Sequence, residues 1–303
     1  MIDILDAFRQ DLELRGLAET TIKRHMQVMR RYSLWCSERG RDVAKAEEAD
    51  ILGYLSSMRA KKMRVASMQQ NFASLSVFFA WLARKKKISA NPVPELMEIY
   101  LHPYKDESRR RQLISVEDAA KMVRATIDVR DRAILLLFLK TGIRRGELVS
   151  LDLDDVDLAA GKVELKPTGK RSNRIVFFDD ECSRALARWI KSREMRFKKG
   201  QQTALFISGK GTRLQSSAVD RLVRTAAGRV GLHDSVSAKL EDKFSPHCCR
   251  HWHATHLLRA GMPREYVKWL RGDVMKEAID IYNHLDENDV RKSYLAHVPQ
   301  LGV

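Results

Sequence analysis

Apolar positions three and four apart organise the first part of the chain into four helical segments. Ile2 to Leu14 carries Leu5, Phe8 and Leu12 on one face, and Gly16 follows as a stop. Thr20 to Glu38 gathers Ile22, Met26, Met29 and Cys36 on one stripe, with Lys23, Gln27, Arg30 and Arg31 along another. Glu47 to Met58 predicts a third helix, ending in the basic turn Arg59 to Arg64. The fourth has the strongest period in the sequence: Val65, Met68, Phe72, Leu75, Phe79 and Leu82 form the seam of a helical bundle. Gln69, Gln70, Asn71 and Ser74 either contact a nucleic acid or fill a solvated face.

The pattern changes at Lys85. From there to Gln112 the chain holds three of its seven prolines and two basic clusters, which reads as a linker centred near Tyr100 to Arg111. The expected division is a helical domain at 1–95, a linker at 96–111 and a second domain at 112–303. That domain opens on a capping-box pattern, Ser115-Val116-Glu117-Asp118, ahead of a helix to Ala125. Arg130 to Lys140 is almost wholly apolar, so it predicts the central buried helix, with Gly142 as its left-handed cap. An arginine directly after such a helix, Arg144, is held rigidly, as anion binding requires. A short helix restarts there and runs into LDLDDVDL.

Lys162 to Leu165 and Arg174 to Phe178 read as the strands of a hairpin around a charged turn with Lys170 and Arg171. Glu181 to Lys198 and Ser216 to Val230 are helical. Another helix begins at Ser245-Pro246 and brings His247, Arg250 and His251 to one face. Lys276 to Leu285 predicts a short helix whose stripe is Ala278, Ile281 and Leu285, with Tyr282 one position off it. A terminal helix, Asp289 to Val298, places Val290 and Tyr294 together, to dock on its own domain or on a neighbouring protomer.

Charge narrows the partner. Lys and Arg outnumber Asp and Glu by 55 to 39, a net charge of +16, which favours a polyanion and DNA or RNA well before a membrane surface. The longest apolar run, Ala133 to Leu139, is too short to span a bilayer. Four cysteines without framework spacing suit a reducing cytoplasm. The nearly all-basic face of Lys23, Arg30 and Arg31 therefore reads as phosphate-facing, and so do Arg171 and Arg174 at the hairpin. The His and Cys residues at 247–256 lack zinc-site spacing, so no metal is expected. Histidine, arginine and a part-exposed tyrosine on neighbouring helices point to phosphoryl chemistry with a phenolic nucleophile.

Four motifs in this order resemble the tyrosine recombinase (phage integrase) family, especially its archaeal Xer-like members. They are Thr141-Gly142-Ile143-Arg144-Arg145-Gly146-Glu147-Leu148, Gly169-Lys170, the box from His247 through Arg250 and His251 to Leu257, and Ile281-Tyr282-Asn283-His284. The resemblance implies a mainly α chain with a small β-sheet. Its N-terminal part would be a SAM-like four-helix DNA clamp, and its remainder a mixed α/β catalytic domain. It implies a site-specific recombinase acting through a 3′-phosphotyrosyl intermediate, with Tyr282 as nucleophile, Arg144 and Arg250 on the phosphate, His247 as proton acceptor and Lys170 as acid. Double-stranded DNA, a homotetramer on it, no cofactor and a cytoplasmic, nucleoid-associated site follow from the same resemblance. One position departs from it: where the family has His or Trp, this chain has Asp273, whose charge would repel a phosphate unless Arg271 or Lys276 neutralises it. That departure keeps two alternatives open, a catalytically impaired DNA-binding protein of the same fold and a type IB topoisomerase-like nicking-closing enzyme.

Overall fold

The computed structural model describes residues 4–45, 47–101, 112–167, 173–197, 202–237, 239–273 and 285–303. The chain forms two compact units, Met1–Asp106 and Glu107–Val303.

In the first unit the described helices are α1 (Ile4–Leu14), α2 (Glu19–Ser37), α3 (Glu48–Ala60), α4 (Val65–Arg84) and α5 (Val93–Tyr100). Phe8, Tyr32, Phe72, Phe78 and Phe79 are fully buried between them, and Phe8 meets Phe78 edge-on at 5.1 Å. The α4 seam is buried from Met68 onward, whereas Val65, at the helix's first position, is exposed. Asn71 and Ser74 are not on a solvated or DNA-facing surface. Both are buried and bond back to the preceding turn, Asn71 Nδ2 to the Ser67 carbonyl at 2.6 Å and Ser74 Oγ to that of Gln70 at 3.3 Å.

Residues 96–100, expected in the linker, instead complete α5. Its prolines misled composition: Pro92 precedes the helix and Pro94 sits in its first turn, where a missing N–H costs little. Val93 and Leu96 bury against the bundle, and the end of α5 is held by Gln69 Nε2 donating to the Leu101 carbonyl at 2.9 Å.

The second unit is built around one helix. It contains α6 (Val116–Arg124), α7 (Val129–Thr141), α8 (Arg145–Ser150), β1 (Val156–Asp157), β2 (Lys162–Glu164), β3 (Ile175–Phe177), α9 (Asp180–Arg196), α10 (Ser216–Arg229), α11 (Pro246–Arg259), α12 (Arg264–Arg271) and α13 (Glu287–His297). Every residue of α7 from Ala133 to Thr141 is buried, and the helix packs on both α9 and α11. The strands form an antiparallel sheet in the order β1-β2-β3, with Val163 opposite Val176 and Val156 opposite Val163. β1 was not expected, because a two-residue strand shows no period to read. The hairpin turn at 168–172 and the expected helix at 276–284 lie outside the described residues.

The only charge inside α7's buried stretch, Lys140, is compensated. Its ammonium is fully buried and reaches Asp179 at 2.5 Å, Glu181 at 2.6 Å and the Pro299 carbonyl at 2.6 Å. Glu181 also accepts the backbone N–H groups of Leu301, Gly302 and Val303, so one carboxylate ties the C-terminal residues to the core. α13 docks on its own unit: Val290, Tyr294 and Val298 pack with Leu257, Val267 and Leu270, and Tyr294 Oη donates to the Lys140 carbonyl at 2.9 Å. Among the described residues no helix is long and apolar enough to cross a membrane.

Candidate active site

The site begins where α7 stops. Gly142 adopts φ +60°, and a Cβ built there would lie 2.6 Å from His253 Cδ2, so both backbone and packing call for glycine. The chain turns through buried Ile143 into Arg144, the extended N-cap of α8. Glu147, three residues on and almost completely buried, accepts from the Arg144 backbone N–H at 2.7 Å and from its Nη1 at 2.9 Å. One carboxylate thus caps the helix and aims the guanidinium, which stays about a third exposed at 31%.

α11 supplies the second guanidinium. Pro246 occupies its first turn, and His247 and His251 stand exposed on one side. Cys248 and Cys249 face the opposite way, into the core, where burial pushes the Cys249 thiol up. Arg250 is buried and crosses to the α7–α8 turn, donating from Nη1 to the Gly142 carbonyl at 2.7 Å. Its Nη2 donates to the Arg271 carbonyl at the end of α12, 2.6 Å away. Two carbonyls therefore orient one guanidinium and join three stretches remote in sequence. His253 and His256 point elsewhere: His253 Nδ1 lies 3.1 Å from the Leu139 carbonyl and His256 Nε2 3.1 Å from that of Ile114. Since a carbonyl only accepts, each ring nitrogen donates there. Cys248, Cys249, His253 and His256 thus point into the interior, away from exposed His247 and His251, and among the described residues no three His, Cys, Asp or Glu side chains gather as metal ligands.

Asp273 sits just past α12. Gly272 at φ +60° caps that helix, with its N–H on Trp269 and the Asp273 N–H on Lys268, the paired bonds of a Schellman motif. The Asp273 carboxylate lies 3.1 Å from Arg271 Nε and 3.6 Å from Arg250 Nη2. Of the two expected neutralising partners Arg271 fills the role, and Lys276 lies outside the described residues.

Lys170, Arg171 and Tyr282 also lie outside the described residues. Arg174, beside the hairpin turn, is exposed and pairs across the strands with Glu164 at 3.2 Å. Lys23, Arg30 and Arg31 stand exposed along α2; Lys23 pairs with Glu19 at 3.5 Å and Arg31 Nε donates to the Gln27 carbonyl at 3.3 Å. Of the rival phenols, Tyr294 is fully buried, hydrogen-bonded, and raised in pKa by desolvation, so it cannot meet a DNA backbone. Tyr266 packs against the apolar cluster between α12 and α13.

Two positioning roles escaped the sequence reading, although both residues stand in it: Glu147 only as part of a motif, Arg271 only as a partner for Asp273. Glu147 carried a usable signal, an acidic residue three positions after Arg144 at a helix start. The Arg271 carbonyl carried none, because its role on Arg250 depends on how α12 packs against α11.

A sequence profile described as phage integrase family matches residues 108–289, and one described as phage integrase, N-terminal SAM-like domain, matches residues 4–88. Tyrosine recombinase XerC of Thermodesulfovibrio yellowstonii is 30% identical over 251 residues, 80% of this chain and 79% of that protein. Tyrosine recombinase XerD of Ralstonia nicotianae is 26% identical over 287 residues, covering 94% and 90%. Among solved structures, the Tn1549 transposon integrase in complex with transposon right end DNA is similar with a TM-score of 0.67 at 17% identity, over 95% of this chain and 97% of that one. A lambda integrase dimer bound to a COC′ core site is similar with a TM-score of 0.66 at 18% identity, over 94% and 98%. At such identities the structural likeness speaks for the fold.

Proposed function

The chain belongs to the phage integrase family, and from that premise we propose how its own residues cut and rejoin DNA. It is a site-specific DNA recombinase. The observation that carries the assignment of residues is the seating of Arg250 on the Gly142 carbonyl, two residues from Arg144, with His247 one turn away on the same helix.

A phosphodiester attacked in line spreads negative charge over its non-bridging oxygens, and two planar guanidiniums are suited to hold them. Arg144 and Arg250 take that role, Arg144 oriented by the Glu147 carboxylate and Arg250 by the Gly142 and Arg271 carbonyls. Tyr282 is the nucleophile. A phenol of ordinary pKa costs about 4 kcal/mol to ionise at pH 7, and His247, exposed at the start of α11, accepts its proton. The Tyr282 oxygen forms a bond to phosphorus as the bond to the 5′ oxygen breaks, and Lys170 protonates that departing oxygen, which leaves as a 5′ hydroxyl. The phosphotyrosyl ester keeps the bond energy, so a 5′ hydroxyl from another strand reverses the step. Lys23, Arg30, Arg31, Arg171 and Arg174 contribute phosphate contacts. Four protomers assemble on two sites, in the cytoplasm with the nucleoid.

A nicked suicide substrate tests the reading. Wild type should accumulate a covalent protein–DNA adduct that is lost in Tyr282→Phe, and two marked sites should recombine. No adduct would make the protein a DNA-binding relative; relaxation of supercoils without recombination would make it a nicking-closing enzyme.

A further inference from the structure

Two guanidiniums converge on one side chain at the edge of this site. Asp273 has Arg271 Nε at 3.1 Å and Arg250 Nη2 at 3.6 Å, although they come from different helices. The Arg271 contact is an ion pair between partners two residues apart at the end of α12. The position is built: the paired backbone bonds that close α12 fix the Asp273 backbone, and the Arg250–Arg271 carbonyl bond fixes α12 against α11. Arg250 is almost completely buried and belongs to the phosphate-holding pair, whereas Asp273 and Arg271 are both partly open to solvent. An anion already rests where the reaction must bring one.

We propose that Asp273 is an internal anion holding the seat that Arg250 and Arg271 offer to a DNA phosphate. On binding, the phosphate displaces the carboxylate, and Arg271 becomes a further guanidinium on the scissile group. This rests on the reading of the site given above. Two anions cannot share the seat without like-charge repulsion, so one must leave. A partly exposed ion pair is weak, so displacement slows the reaction only about two- to fivefold, while the many other backbone contacts of a DNA-bound protein supply the driving force. The carboxylate also keeps adventitious small anions off Arg250 until DNA is aligned.

The test uses the full chain and Asp273→Asn, with Asp273→Ser as a second neutral variant, each alone and combined with Arg271→Ala. Inorganic phosphate binding is followed by the rise in Tm, and single-turnover cleavage by adduct formation on the suicide substrate. Both neutral variants should bind phosphate about two- to fivefold more tightly and cleave faster by a similar factor, and Arg271→Ala should erase both gains. Unchanged phosphate affinity, or slower cleavage in both neutral variants, overturns the proposal and leaves the recombinase reading standing. If no protein forms an adduct, the recombinase reading fails, and the phosphate arm alone decides whether the seat exists.

Discussion

Gly142→Ala tests the part of the site on which Arg250 depends. Two costs add. A non-glycine residue held at φ +60° costs about 1–2 kcal/mol. The new methyl would also stand 2.6 Å from His253 Cδ2 in a packed interior, where overpacking costs about 1–3 kcal/mol. Together they predict a loss of about 2–5 kcal/mol, or about 5–15 °C in the unfolding transition of a domain of roughly this size. Calorimetry of the full chain should show the transition of the second unit moving while that of the first stays in place. Gly142→Asn separates the terms: asparagine tolerates the left-handed region but still carries a Cβ, so it should recover under about 1 kcal/mol. Adduct formation should fall further than stability explains, because the displaced Gly142 carbonyl no longer orients Arg250. A loss below about 1 kcal/mol for alanine, or an asparagine variant equal to wild type, would refute the claim that His253 packs the turn from behind.

Other substitutions probe separate contacts. Glu147→Gln should retain the fold but lower the cleavage rate by about ten- to a hundredfold with DNA affinity unchanged, since a misaimed Arg144 costs the transition state; single-turnover kinetics beside a binding assay checks it. Lys140→Met leaves Asp179 and Glu181 buried without their cation and should cost about 3–5 kcal/mol, visible as early melting and proteolysis of the C-terminal residues. Burial would raise the Asp152 carboxyl, but hydrogen bonds from Lys166, Arg213 and Thr203 outweigh it and hold it at about 2. Because this folded-state pKa is depressed, its stabilisation is present above the unfolded carboxylate range and lost as pH falls through about 2. The stability gap between wild type and Asp152→Asn should therefore shrink between about pH 5 and 2 in denaturation titrations. Lys170→Ala should be rescued by a 5′-bridging phosphorothiolate, whose leaving group needs no proton; absence of rescue removes its role as acid.

Local periodicity was enough to place most helices, since burial of one stripe is written into spacings of three and four: the α4 seam from Met68 to Leu82 and the apolar run of α7 both lie where the pattern puts them. It also marked Gly142 as a left-handed cap and put His247 and Arg250 on one helix, because caps and helix faces are set within a few residues. Non-local contacts decided the rest. Whether Asn71 and Ser74 met solvent depended on what packed over α4, and residues 96–100 became helix because Val93 and Leu96 had a bundle to bury against. Which carbonyls receive Arg250, and that Asp273 closes on Arg250 and Arg271, follow from the packing of α11 between α7 and α12. A guanidinium's direction is set by partners 108 and 21 residues away, and no window of local sequence contains them.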